Sequence, residues 1–385
     1  MIPYARQRRR LLGGVLAAGA ATLLPRARAQ GAACAPWREW NSFVAKHIDD
    51  GGRVIDFSNA DQRSTSEGQS YALFFALVAN DQVLFDRVLG WTRHNLSGGR
   101  PQQVLPAWLW GRADDGGWRV LDDNTASDAD LWIAYALLEA GRLWKRPGYT
   151  QAGMQTLALV RRQELVELPG FGGMLLPALR GFVKPQRWTL NPSYLPIQLL
   201  RRFAAADPKG PWAGLAQRSA RLLRDSAPVG FAPDWIAWDG RAFAVDPDKG
   251  PLGSYDAIRV YLWAGMLDAA DPLRKPLLED LSGPLQQLRT QGSLSEKTDT
   301  RLGVGNGSAP PGFSAALLPY LSALREPALL KAQAQRIPPP GDAAAAKLPY
   351  YDRVLVLFGR GWLDNRYRFS ADGLLQPAWR TQCSA

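Results

Sequence analysis

The sequence predicts an all-α domain built as a ring of paired helices, and three observations predict it. Apolar residues recur at helical spacing in one segment after another, turn clusters separate those segments at hairpin distances, and no Pro/Gly/Ser-rich linker divides the chain. In order, the helical segments are Tyr71 to Val78, Leu131 to Trp144, Met154 to Leu165, Leu195 to Phe203, Leu215 to Leu223, Ala257 to Leu267, Phe313 to Leu324 and Arg353 to Phe358. Leu96-Ser97-Gly98-Gly99, Lys145-Arg146-Pro147-Gly148 and Asp207-Pro208-Lys209-Gly210 punctuate them. The exception is Phe171 to Val183, where Gly-Gly and Pro interrupt apolar residues and a small hairpin or sheet is expected. No repeated sequence motif is visible, so any repeat is one of structure alone.

Residues 1–29 read as an export signal, and residues 30–385 as one large domain. Arg6, Arg8, Arg9 and Arg10 form a basic start, Leu11 to Leu24 an apolar stretch too short to span a membrane, and Ala27-Arg28-Ala29 a small-residue cleavage pattern. Cleavage near Ala29 predicts a periplasmic or secreted protein, by the general or the twin-arginine route. Loss of this segment removes six of the 46 Lys and Arg and none of the 35 acids, so the net charge falls from +11 to +5. The remaining basic residues form no stripe with stacking aromatics, which argues against a nucleic-acid partner. Cys34 and Cys383 lie at opposite ends of the mature chain, and an oxidising compartment predicts that they bridge.

Fifteen tryptophans and 11 tyrosines suit a carbohydrate-binding cleft, because flat rings stack on the apolar faces of sugars while polar edges meet hydroxyls. Many of them are core, Trp144 and Trp263 among those expected there. Trp108 and Trp110, in Leu105-Pro106-Ala107-Trp108-Leu109-Trp110-Gly111, are candidates to line the cleft, since a loop follows them and an acidic segment lies just beyond.

Three acidic segments carry the candidate chemistry. Ser64-Thr65-Ser66-Glu67 offers Glu67 as a proton donor, although the same residues read as a capping box closed by Ser64 and Glu67. A helix start favours a charged carboxylate, so a general acid there needs a second carboxylate nearby to raise its pKa. Asp128 or Asp130 can supply it; two residues apart at a helix start, they point in different directions. Asp256 is the candidate base, with Arg259 on the same helical face to hold it ionised and oriented, or else the two form an ordinary ion pair. Tyr194 and Tyr255 are candidate neighbours of a sugar ring or of the attacking water.

Other chemistries find little material. The two histidines, His47 and His94, have no partner at metal-ligand spacing, so neither a histidine-based metal site nor a Ser-His-Asp triad is expected, and no cofactor is implied. Gly303-Val304-Gly305-Asn306-Gly307 lacks the lysine of a phosphate loop and reads as a flexible loop.

Taken together, Ser66-Glu67-Gly68-Gln69-Ser70-Tyr71, the Trp108-Trp110 cluster, Ala126-Ser127-Asp128-Ala129-Asp130 with Trp144 downstream, Asn191-Pro192-Ser193-Tyr194-Leu195-Pro196 and Ser254-Tyr255-Asp256-Ala257-Ile258-Arg259 resemble glycoside hydrolase family 8. The resemblance spans Cys34 to Cys383 and is strongest to members encoded with bacterial cellulose synthase. It implies an (α/α)6 barrel of helical hairpins with a small β insertion and an open substrate groove, and endo-β-1,4-glucanase activity with inversion at the anomeric carbon. By position, Glu67 matches the general acid, Asp256 the general base, and Asp128 the first aspartate of the signature; since inversion needs no protein nucleophile, Asp128 is assigned to gripping the sugar and raising the pKa of Glu67. The implied partners are a β-1,4-glucan and a cellulose synthase complex, with the enzyme itself a monomer. The rival readings are a hydrolase of the same fold acting on chitosan, xylan or mixed-linkage glucan, and a non-catalytic glucan-binding partner of the synthase.

Overall fold

In the computed structural model, which describes residues 34–383, helices buried on nearly every side alternate along the chain with helices buried on one face. In chain order they are α1 (Arg38–His47), α2 (Ser66–Val78), α3 (Gln82–Asn95), α4 (Ser127–Leu143), α5 (Pro147–Gln163), α6 (Ile197–Ala206), α7 (Trp212–Asp225), α8 (Ile258–Met266), α9 (Arg274–Asp280), α10 (Gly283–Gln291), α11 (Pro311–Ala323), α12 (Pro327–Gln335), α13 (Ala343–Ala346), α14 (Tyr350–Leu363) and α15 (Ala378–Thr381). Buried almost end to end, α2, α4, α8, α11 and α14 form an inner ring with α6, which buries one face. An apolar surface all round a helix is stable only inside a core, whereas a one-sided stripe places a helix outside. Accordingly α3, α5, α7, α9 and α12 pack on the outside, each against the inner helix before it. Every helical segment expected from periodicity overlaps one of these helices, overrunning its ends by at most two residues.

The ring closes through aromatics. Phe358 of α14 meets Tyr71, Phe74 and Phe75 of α2 at centroid distances of 5.0, 5.6 and 4.6 Å, and Trp263 of α8 meets Trp132 of α4 at 5.3 Å. Inner backbones also approach closely where a side chain is missing: a Cβ on Gly265 would overlap the backbone of Tyr320, and one on Gly359 the carbonyl of Ala315. The sixth pair is made from the two ends of the chain. α1 runs antiparallel along α14, with Phe43 against Tyr350 at one end and Trp37 beside Gly361 at the other. Cys34 and Cys383 form the expected disulfide, with Cα atoms 5.5 Å apart, and Arg366 Nη1 donates to the Ala35 carbonyl at 2.8 Å.

Strands are more numerous than the sequence suggested, but all are two to five residues long and antiparallel. β1 (Ser64–Thr65), β2 (Leu109–Arg112) and β3 (Trp118–Asp122) form one sheet, and β4 (Leu165–Leu168) pairs with β5 (Gly172–Leu175). β6 (Val183–Lys184), β7 (Arg187–Leu190), β8 (Ile236–Trp238) and β9 (Phe243–Ala244) make a four-stranded sheet. The β structure expected within Phe171 to Val183 is therefore present, split between two sheets. β10 (Leu252–Gly253), β11 (Lys297–Asp299) and β12 (Val304–Asn306) form another sheet, and β13 (Tyr367–Phe369) pairs with β14 (Leu375–Pro377). The glycine-rich Gly303–Gly307 is thus a strand between two positive-φ glycines, not a free loop.

No described helix is long and apolar enough to cross a membrane. The expected export signal, residues 1–29, lies outside the described residues.

Candidate active site

The first turns of α2 and α4 and the turn entering α8 meet at one end of the ring. At α2 the cap is Thr65, whose Oγ1 accepts from Gly68 N at 3.0 Å. Ser64 is held in β1 opposite Trp110, and its hydroxyl accepts from Arg53 Nε at 2.8 Å. The Ser64–Glu67 capping box therefore does not form. Extended backbone at Ser64 moves the helix start one residue later, which leaves the Glu67 side chain free to reach inward.

It reaches Arg259. Nη1 of that guanidinium donates to Glu67 Oε2 at 2.5 Å, Tyr71 Oη at 3.1 Å and Asp128 Oδ2 at 3.3 Å; Nη2 donates to Asp256 Oδ1 at 2.6 Å and Ser193 Oγ at 3.2 Å. A planar fork bonded on both prongs fixes the Glu67 and Asp256 oxygens no more than about 7.5 Å apart. Glu67 and Asp256 each meet the fork through one carboxylate oxygen. The Glu67 and Asp256 side chains are 26% and 27% exposed while those of Arg259 and Asp128 are 4% and 3%, so the first two face solvent and the others lie behind them. Arg259 was expected to serve Asp256; it joins all three carboxylates.

Charge balance has consequences here. Three carboxylates share one guanidinium in a desolvated setting, which favours retention of a proton. Burial, and then the charge of Glu67, pushes the Asp128 carboxyl well above the usual carboxylate range, against the pull of Arg259. The upward shift expected on the helix-start glutamate falls instead on Asp128. Asp256 is also raised by burial, and Arg259 opposes that shift. Asp130 turns the other way, as two positions at a helix start must. It is fully buried against Glu164, whose carboxyl burial pushes up to about 8 and which accepts from Thr125 Oγ1 at 2.5 Å.

Aromatic rings lie near the cluster. The Tyr194 ring lies 5.6 Å from the Arg259 guanidinium carbon and 6.3 Å from Trp235, which stacks on Phe182 at 5.6 Å. Tyr255 is exposed, its ring 5.1 Å from Phe313 and 6.0 Å from Tyr351, and its hydroxyl donates to Glu296 at 3.0 Å. Trp108 is half-buried beside the Glu67 turn, its carbonyl accepting from Ser66 N at 3.0 Å. Trp110 sits further out, stacked on Trp118 at 5.3 Å with the Arg53 guanidinium 4.3 Å from its ring. As expected, Trp263 is core; its indole N–H donates to the Ser193 carbonyl at 3.0 Å.

Several residues of the site escaped the sequence reading. Tyr71 and Ser193 hold Arg259 from two other elements, and Trp235 and Phe182 extend the aromatic face. Asp234 lies under Asp256: its Oδ1 accepts from the backbone N–H groups of Ser254, Asp256 and Ala257 at 2.8, 3.1 and 2.7 Å. The only signal was Pro233-Asp234-Trp235, an aspartate beside a tryptophan in an irregular stretch. Among the described residues no group of His, Cys, Asp and Glu could hold a metal ion.

The sequence profile of glycosyl hydrolases family 8 matches residues 14–365. The chain is 68% identical over 379 residues to an endoglucanase of Xanthomonas axonopodis pv. citri (strain 306), covering 98% of this chain and 99% of that one. It is 42% identical over 371 residues to an endoglucanase of Escherichia coli (strain K12), covering 96% and 99%. Among solved structures, the endo-1,4-D-glucanase from Vibrio fischeri ES114 superposes with a TM-score of 0.82 at 42% identity, covering 89% of this chain and 99% of that one. An (α/α)6 barrel with three carboxylates drawn from separate inner-helix starts, matched by the profile over nearly its whole length, belongs to glycosyl hydrolases family 8.

Proposed function

We propose that this chain is an endo-β-1,4-glucanase that cuts internal bonds of cellulose with inversion at the anomeric carbon. The observation that carries the reading is the convergence of Glu67, Asp128 and Asp256 on one buried guanidinium, with the Glu67 and Asp256 side chains partly open to solvent. The endoglucanase names of its full-length relatives support the substrate class.

Glu67 donates a proton to the leaving glycosidic oxygen while Asp256 takes one from a water attacking the opposite face. An inverting pair leaves about 6.5–9.5 Å between carboxyl groups for that water, a range the Arg259 span can meet. Burial makes Asp256 a stronger base, and Arg259 keeps it ionised and aimed. Asp128 grips the sugar at the cleavage point and keeps the proton of the cluster next to Glu67. Tyr194, Trp235, Trp108 and Tyr255 stack on or bond to flanking sugars. Trp110 takes the same role at the edge, where its stack with Trp118 offers an apolar face.

Residues 1–29 direct export, and the Cys34–Cys383 bridge suits a periplasmic or extracellular enzyme. The enzyme acts as a monomer beside a cellulose synthase complex. Reducing-end release from carboxymethylcellulose and from chitosan tests the proposal. Release from the first with an early fall in viscosity is expected; cleavage of chitosan alone, or binding without shortening of the polymer, would refute it.

A further inference from the structure

The turn that carries Asp256 is tied at its base to a single side-chain oxygen. Residues 254–257 enter α8 with three N–H groups pointing the same way, and Oδ1 of Asp234 collects those of Ser254, Asp256 and Ala257 at 2.8, 3.1 and 2.7 Å. Asp234 is itself held between Pro233 and Trp235, and its own N–H donates to the Leu252 carbonyl at 2.7 Å. One residue further, the Trp235 ring joins the aromatic face beside Tyr194. A displacement of this carboxylate would move the Asp256 turn and the Trp235 platform together.

We infer that Asp234 is a positioning residue for the reaction: it holds Asp256 at the distance and angle that water activation requires. The inference rests on the proposed glucanase reading, with Asp256 as base. Charged groups around Asp256 are Arg259, Glu67 and Asp128, with the Tyr194 and Tyr351 hydroxyls nearby. Around Asp234 are Asp256, Tyr261 and Tyr351. Burial, and then the charge of Asp256, raises Asp234 to about 6 despite its three N–H donors. Asp234 therefore acts on the Asp256 turn through the position of its oxygen, which accepts the three N–H groups.

The test uses the full mature chain and cellohexaose as the probe, with Asp234→Asn and Asp234→Ala measured beside wild type and Glu67→Gln. Asparagine keeps an oxygen for the three N–H groups but no charge; alanine keeps neither. Asp234→Ala is expected to lose about 10- to 100-fold in kcat with KM within about threefold, because a misplaced base damages the chemical step more than binding. Asp234→Asn should recover most of that loss in kcat, because it keeps an acceptor for the three N–H groups. Equal losses in both variants overturn the inference. So does wild-type kcat in Asp234→Ala. If Asp234→Ala does not fold, Asp234→Glu, which keeps the charge but displaces the oxygen, replaces it, and wild-type kcat in that variant overturns the inference. A wild-type enzyme inactive on cellohexaose would instead defeat the glucanase reading, which Glu67→Gln checks separately.

Discussion

Replacing Arg259 with methionine removes the one cation that three carboxylates share and leaves a side chain of similar reach. Breaking a buried ion pair by deleting one partner costs about 3–5 kcal/mol when the remaining charge has no other partner. Here the loss depends on pH, and its sign can be worked out. Asp128 and Asp256 already have folded pKa values above their unfolded ones, so the native state keeps protons that the unfolded chain releases. Stability from such groups is present below the unfolded value of about 4 and declines as pH rises through the folded value. Removing Arg259 raises both folded values further. The carboxylates can then be accommodated as acids at pH 4.5, but must ionise unpaired or keep their protons at a cost at pH 7.5. At about 2 °C per kcal/mol for a chain of this size, the melting temperature should fall by about 6–10 °C at pH 7.5 and by less than half of that at pH 4.5. Circular dichroism melts of wild type and variant at the two pH values measure the gap. A gap of the same size at both, or none at either, would show that Arg259 is not the electrostatic centre of the site.

Three further outcomes are expected. Glu67→Gln should lose nearly all turnover on carboxymethylcellulose while retaining cellohexaose affinity by calorimetry; unchanged hydrolysis would exclude Glu67 as the acid. Proton NMR of the first products should show the α anomer from wild type, and Asp256→Asn should slow its appearance by at least about 10²-fold; a β product would rule out water activation by Asp256. Cys34→Ser with Cys383→Ser should destabilise the fold by about 2–5 kcal/mol, because the bridge closes a loop of sequence separation 349. Urea titration of that variant beside wild type measures this loss, and coincident midpoints would contradict a stabilising role.

The inner helices were legible because their signal is dense: Tyr71 to Val78 or Ala257 to Leu267 has few polar residues to interrupt the pattern. Outer helices such as α3 and α12 were missed, since a single buried face interspersed with Gly, Arg and Gln gives a weaker period. Strands of two to five residues are too short for any period, and they are fixed by the helices they brace. In the site, the carboxylates stood out because each lies beside small residues at a helix start. Thr65 in place of Ser64 as the cap could not be read, because the strand pairing of Ser64 with Trp110 is a long-range contact. Asp234 escaped for a similar reason: its three N–H partners are 20 to 23 residues away, and nothing local marks an acceptor.

The pairing of α1 with α14 has a consequence for how the enclosure is made. Five neighbouring hairpins can stack as the polypeptide emerges from the ribosome. The last wall must wait, because its outer post comes from the amino end and its inner post from the carboxyl end. Until Phe358 arrives, Phe74 and Phe75 stay open to water, and the barrel remains an unsealed horseshoe. Cyclic order rather than starting point defines the architecture: joining the two ends and opening the chain at the Asp207–Gly210 turn would preserve every neighbour in the circle.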